Sequence, residues 1–228
     1  VAHGLGVDRK GLYLSTYRAL SSQTLSDINK LLERRLKREP ISYILQNREF
    51  FGLSFIIKPG VMVPRQETET LVEQTLNECR RYSKPVIVDV GTGSGVISIS
   101  LAIKVPNAQI YGIDTSTRAL DVARENVTVH QVDHQVTLLK GDVLDRFQKR
   151  ADLIVANMPY LTDSQMKSLQ PEIRCYEPDQ ALRGGKYGLE LIFRLLEQSI
   201  DHVKNGGTIL LEIDPHQRRR LIHKIRGL

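Results

Sequence analysis

The stretch Val86-Ile87-Val88-Asp89-Val90-Gly91-Thr92-Gly93-Ser94-Gly95 decides how this chain folds. Apart from Asp89, its first five residues are apolar and β-branched, as in a parallel strand buried on both faces. Three alternating glycines follow, and then Val96–Lys104, which reads as a helix. Glycines at such a strand-to-helix turn admit φ > 0 and let a ligand approach without meeting a Cβ. The spacing G-x-G-x-G, with valine at 96, departs from the G-x-G-x-x-G of dinucleotide folds. No Lys-Ser/Thr follows to make a phosphate cradle. A phosphate-free loop preceded by an acid suits a cationic ligand, such as a sulfonium that also carries an amino group. Taken alone, the loop has one bland alternative, an ordinary tight strand-to-helix turn.

Working outward, Asn107–Asp114 reads as a second strand with Asp114 at its carboxyl end. An acid at that point accepts the two hydroxyls of a ribose. Gln135–Lys140 reads as a third strand, running into Gly141-Asp142-Val143 at the edge expected to meet an adenine. Singly, Asp114 and Asp142 would serve as helix caps or turn acids. Together, at successive strand ends, they mark one ligand crevice of an open α/β sheet. A further strand, Asp152–Ala156, ends in Asn157-Met158-Pro159-Tyr160, which offers a side-chain amide, a backbone carbonyl and an aromatic ring. Methyl transfer from S-adenosylmethionine to nitrogen uses both the loop and this segment. A primary amide nitrogen is a poor nucleophile because its lone pair is delocalised into the carbonyl. The side-chain oxygen of Asn157 and the carbonyl of Met158 would each accept one N–H and aim that nitrogen, while Tyr160 stacks on the amide plane. Orientation of this kind supplies up to roughly 7–11 kcal/mol in favourable intramolecular models. The bland alternative is a strand-ending Asn with a Pro-Tyr turn.

With these residues in view, the chain resembles the class I S-adenosylmethionine-dependent methyltransferases, and among them the HemK/PrmC-type glutamine methyltransferases of peptide-chain release factors. The resemblance rests on the glycine loop, on Arg38–Leu45 and Arg48–Gly52, and on Val63-Pro64-Arg65-Gln66-Glu67-Thr68-Glu69-Thr70. It continues through Asn157–Tyr160, Pro171-Glu172-Ile173-Arg174-Cys175-Tyr176-Glu177-Pro178 and Ala181–Leu189. It implies S-adenosyl-L-methionine as cofactor, held by Asp89, Gly91, Thr92, Gly93, Ser94, Gly95, Asp114, Asp142, Val143 and Asn157. It implies a class I release factor as protein substrate, methylated on the glutamine of its Gly-Gly-Gln loop. Asn157, Met158, Pro159 and Tyr160 would be the catalytic and substrate-binding residues. Arg65 and Glu69 would either position the substrate loop or form a structural ion pair.

The resemblance has one departure. The family pattern at 157–160 is Asn-Pro-Pro-Tyr, and Met158 stands where its first proline would be, keeping the carbonyl and losing the fixed φ. Asn-x-Pro-Tyr with an aliphatic x resembles enzymes that methylate adenine in ribosomal RNA, which gives one alternative. Others are a glutamine methyltransferase of a ribosomal protein and an inactive cofactor-binding scaffold.

The organisation expected is α/β, a Rossmann-like methyltransferase sheet behind a small helical domain. Residues 1–46 form a helical substrate-recognition domain, with Leu25, Ile28, Leu31, Leu32 and Leu36 at helical spacing after Ser26-Asp27 as caps. Residues 47–66 form a β-hairpin connector, and 67–228 the cofactor-binding domain. Within it, helices are expected at Thr68–Cys79, Thr117–Val129 and Gly188–Val203, then a turn at Asn205-Gly206-Gly207 and a strand at Thr208–Asp214. The three arginines from Arg218 read as one face of a terminal helix. Set against the family, the helical domain is expected to be partial and the sheet to lack its last strands, leaving Thr208–Asp214 prone to self-association.

Composition narrows the classes further. With 228 residues, 41% hydrophobic and 25% charged, the chain suits a globular fold with one good core and a small second domain. Two cysteines, Cys79 and Cys175, make no metal cluster and fit a reducing compartment. No apolar run has the length of a membrane span. The net charge of +6 fits a solvated basic surface. The expectation is no metal, no membrane, no direct nucleic-acid binding and a monomer when full-length. The compartment would be the cytoplasm in a bacterium or the mitochondrial matrix in a eukaryote.

Overall fold

A computed structural model describes residues 1–14 and 19–227. The helical N-terminal region holds α1 (Arg9–Leu14), α2 (Ser22–Leu36) and α3 (Ile41–Leu45), with residues 15–18 outside the described set. Helix α2 begins before the expected Ser26-Asp27 cap, because Ser21 Oγ accepts the N–H of Thr24 at 3.1 Å. Its apolar stripe is only partly covered: Ile28 is buried, whereas Leu25, Leu32 and Leu36 are exposed.

Strands β1 (Asn47–Phe50) and β2 (Leu53–Ile56) pair antiparallel across the turn Phe51-Gly52, whose two φ values are both positive. This two-residue turn matches the strand twist and makes the expected hairpin. Beyond it, helix α4 spans Glu69–Cys79.

The sheet follows as β3 (Val86–Val90), β4 (Gln109–Asp114), β5 (Val136–Lys140), β6 (Ala151–Ala156) and β9 (Val203–Leu211). Its order is β5-β4-β3-β6-β9, all parallel. The chain steps from β3 outward to β5, then returns to the other side of β3 with β6. The carboxyl ends of β3 and β6 therefore flank the switch in strand order, where open α/β sheets hold ligands.

Period-2 alternation sorts the strand residues between two cores. Ile87, Leu153 and Val155 pack with α4 and α5 (Val96–Lys104). Val88, Val90, Ile154 and Ala156 pack against α9 (Glu190–His202) and Leu221 of α10 (Arg218–Ile225). Helix α6 spans Thr117–Val129, and Ser116 caps it by accepting the N–H of Ala119. Between β6 and α9 lie β7 (Leu161–Thr162), α7 (Asp163–Ser168), α8 (Pro171–Tyr176) and β8 (Arg183–Gly185).

The last strand corrects the expectation. It starts at Val203, directly after α9, and ends at Leu211, and the expected turn at Asn205-Gly206-Gly207 lies inside it as a bulge. The register shows the extra residues: Ala151 opposes Val203, yet Leu153 already opposes Thr208. Ile213 and Asp214 fall beyond the strand, where Asp214 caps the following turn by accepting the N–H of His216 at 2.9 Å.

Candidate active site

The glycine loop is built by backbone hydrogen bonds from the neighbouring strand. Gly91 and Thr92 both donate to the carbonyl of Ile113, and Gly93 donates to Asp114 Oδ2 at 2.9 Å. Gly91, Gly93 and Gly95 take φ of 77°, 58° and 83°, the left-handed region open to glycine. Asn126 of α6, fully buried, donates to Ser94 O at 2.9 Å and to Ile56 O at 3.0 Å. It thereby ties the hairpin connector to the loop.

A crevice opens above this loop. Gly91–Ser94, Asp114, Asp142, Val143 and Asn157 all line it, joined by Met62, Pro64 and Thr68, which the sequence had not singled out. Asp114 accepts from Gly93 with one oxygen and from Ser116 N–H with the other at 2.8 Å. Each oxygen keeps a lone pair for a ligand hydroxyl. Burial holds its carboxyl above the usual carboxylate range. Val143 sits at φ 59°, uncommon for a β-branched residue and a sign of strain stored at the site. The carboxylate of Asp142 pairs with Arg194.

Asp89 and Gly95 are not in the crevice lining. Asp89 shares the sheet face of Ile87, so its side chain points under α5 rather than toward the ligand. Its Oδ2 accepts from Thr92 Oγ1, Ser98 Oγ and Ser98 N–H, which pins the loop to the first turn of α5. Burial pushes its pKa up to about 6. Gly95 serves as the left-handed N-cap of α5 and packs against Ile99 and Ala123.

A second pocket shares Asn157-Met158-Pro159 with the crevice, so this segment borders both spaces. Asn157 Nδ2 donates to Thr68 Oγ1 at 2.9 Å, and its side-chain oxygen accepts no hydrogen bond among the described residues. Met158 is buried, and its side chain packs in the core beside Leu189 and Ile192. Tyr160 donates to Glu212 Oε1 at 3.2 Å, and burial with this neighbouring carboxylate pushes its phenol up to about 12.

The glycines of the Ala181–Leu189 segment explain why that motif accompanies the site. A Cβ on Gly184 would lie 2.5 Å from Pro159 O, and one on Gly188 would lie 2.0 Å from Tyr160 O. Only backbone without side chains can press so closely on this wall.

Of the two alternatives for Arg65 and Glu69, the ion pair between them does not form. Glu69 Oε1 instead accepts the N–H of Phe51 at 2.9 Å and braces the hairpin turn. Arg65 pairs with the buried Glu177 at 2.7 Å, and Glu177 also accepts the N–H of Val63. Glu177 was legible only as part of its Pro-Glu-x-x-x-Tyr-Glu-Pro motif. Arg65 still lines the second pocket. The two cysteines are free, and no cluster of metal-ligating side chains occurs among the described residues. No helix among them is long and apolar enough to cross a membrane.

Comparison with known proteins bears on what this wall between two pockets does. Residues 61–174 match the Methyltransferase small domain and residues 1–45 the PrmC N-terminal domain. The chain is 38% identical to the release factor glutamine methyltransferase of Geobacter sulfurreducens, covering 92% of this chain and 72% of that protein. It is 37% identical to that of Thermodesulfovibrio yellowstonii, with 96% and 79% covered. The chain belongs to the release factor glutamine methyltransferase family. A human release factor glutamine methyltransferase is 37% identical, with 86% of this chain and 62% of that protein covered. Among solved structures, the ribosomal protein L11 methylase of Lactobacillus delbrueckii superposes with a TM-score of 0.56 at 20% identity, over 75% of this chain and 72% of that one. At that identity the likeness concerns the fold, a class I methyltransferase sheet. Like its relatives, this family member is a methyltransferase with a helical region ahead of the catalytic sheet.

Proposed function

We propose that this chain transfers a methyl group from S-adenosyl-L-methionine to the side-chain amide nitrogen of the glutamine in the Gly-Gly-Gln loop of a class I peptide-chain release factor. The observation that carries this reading is the wall Asn157-Met158-Pro159, common to the glycine-loop crevice and the second pocket. A donor in the first space and an acceptor in the second would come into contact beside these shared residues. The residues fit the donor: the loop offers backbone without Cβ atoms, and Asp114 offers lone pairs for the ribose. When bound, S-adenosylmethionine supplies the electrophilic methyl.

The protein's part is positioning. Thr68 fixes the amide of Asn157 so that its oxygen accepts one substrate N–H. The carbonyl of Met158 accepts the other, which is why a methionine serves there as well as a proline. Tyr160, held by Glu212, stacks on the planar amide and stays protonated at any ordinary pH. As the N–C bond formed and the S–CH3 bond broke, S-adenosyl-L-homocysteine would be left as product, and the acidified amide proton would be lost to solvent without an assigned general base. Residues 1–46 serve release-factor recognition, and the enzyme acts as a monomer without binding nucleic acid.

Incubation with tritiated S-adenosylmethionine, offering a release factor and ribosomal RNA side by side, tests this reading. Label is expected in the release factor. Label in the RNA alone would support the adenine-methylating alternative.

A further inference from the structure

The wall of the second pocket contains an acceptor that the reaction as described leaves unused. Glu212 follows β9 directly, and its own N–H donates to Ala156 O at 3.0 Å, beside Asn157. Its Oε1 accepts the hydroxyl of Tyr160. Glu212 lines the pocket, and its Oε2, which is buried, meets no donor among the described residues. A buried carboxylate oxygen left without a donor costs more than an ordinary hydrogen bond contributes, so such an atom calls for a partner.

The surroundings restrict what that partner is. Arg65 lines the same pocket, but its charge is taken up by Glu177, so it does not supply the donor that Oε2 lacks. Leu161, Leu169, Ile173 and Leu182 make much of the remaining lining apolar. A neutral N–H on a chain with little polar side-chain bulk supplies the donor and suits that lining. Building on the proposed reaction, we infer that the Glu212 carboxylate turns toward the pocket when substrate enters, so that Oε2 accepts a backbone N–H of the segment carrying the methylated glutamine, at that residue or the next. Glu212 is then a positioning residue: with Asn157 and the Met158 carbonyl, it makes the acceptor pocket a ring of hydrogen-bond acceptors. That ring favours an amide and repels the carboxylate of a glutamate in the same place.

The experiment is a cycle of enzyme and substrate changes. Wild type and E212L are each given a synthetic peptide spanning the Gly-Gly-Gln loop. Each is also given two versions in which an ester replaces the backbone amide at the glutamine or at the next residue. With wild type, one ester is expected to lower kcat/KM roughly 10- to 100-fold, mainly through KM. With E212L, the same ester is expected to cost less than about threefold beyond what E212L costs with the amide peptide. The cycle cancels any effect of E212L on Tyr160 or on folding. An ester penalty of equal size in both enzymes, or none at either position, overturns the inference. Failure of wild type to methylate the amide peptide and the intact release factor would instead overturn the proposed reaction.

Discussion

Thr68→Val isolates the hydrogen bond that orients the catalytic amide. Thr68 is 3% exposed, and valine fills nearly the same volume. The change removes the acceptor 2.9 Å from Asn157 Nδ2 and leaves that N–H facing an apolar methyl. Leaving a buried donor unpaired costs about 1–3 kcal/mol. Asn157 is only half-buried, and it can escape part of that cost by turning its amide. Turning takes the acceptor oxygen away from the substrate, so the loss appears in the rate. A cost of about 1–2 kcal/mol corresponds to a transfer rate lower by roughly 5- to 30-fold. The assay is a single turnover with release factor and saturating S-adenosylmethionine, alongside calorimetric cofactor affinity, because Thr68 also borders the crevice. Thr68→Ser keeps the hydroxyl and should stay within about threefold of wild type. A wild-type rate for Thr68→Val, or equal loss in the serine variant, would refute the orienting role.

Three other perturbations probe the loop, its buried acid and the wall. Asp114→Ala should weaken cofactor affinity by roughly 10- to 150-fold, the worth of a charged hydrogen bond, and an unchanged calorimetric Kd would reassign the crevice. Asp89 has its carboxyl raised from 3.8 to about 6 by burial, so the folded state holds its proton more tightly than the unfolded chain. That contribution is full below about pH 4 and is lost as pH rises through 6, a change of about 3 kcal/mol. The stability of wild type relative to D89N, from urea unfolding, should therefore fall by that order between about pH 4 and pH 7; a flat difference contradicts it. Gly184→Ala sets a Cβ 2.5 Å from Pro159 O and 2.8 Å from Tyr160 Cα. Overpacking of about 1–3 kcal/mol should lower the melting temperature by roughly 2–10 °C, with transfer reduced more than cofactor binding.

Much of this site was legible in the sequence, for identifiable reasons. The β-branched run at Val86–Val90, the three glycines and the acids at strand ends are local signals, and they located the crevice. Helices α5 and α6 matched their expected bounds because apolar periodicity and, for α6, the Ser116 cap agree. What was missed depends on contacts distant along the chain. Arg65 finds Glu177 rather than Glu69, and Thr68 reaches Asn157 across the site. Asp89 was read as a ligand residue because the alternation that turns it beneath α5 is visible only once the strand's two faces are assigned. The start of β9 was obscured because its bulge at Asn205-Gly206-Gly207 carries the residues of a free turn. Glu212 carried no strand-end signal, because the strand was read through to Asp214 and only the structure ends it at Leu211.

The most direct test of the central claim is to map the methyl group on the product. Release factor incubated with this enzyme and S-adenosylmethionine is digested and sequenced by tandem mass spectrometry. One methyl group is expected, confined to the side-chain amide of the Gly-Gly-Gln glutamine, and absent with Asn157→Ala while cofactor binding persists. Methylation on any other residue, or at this glutamine with undiminished rate in Asn157→Ala, would contradict that claim.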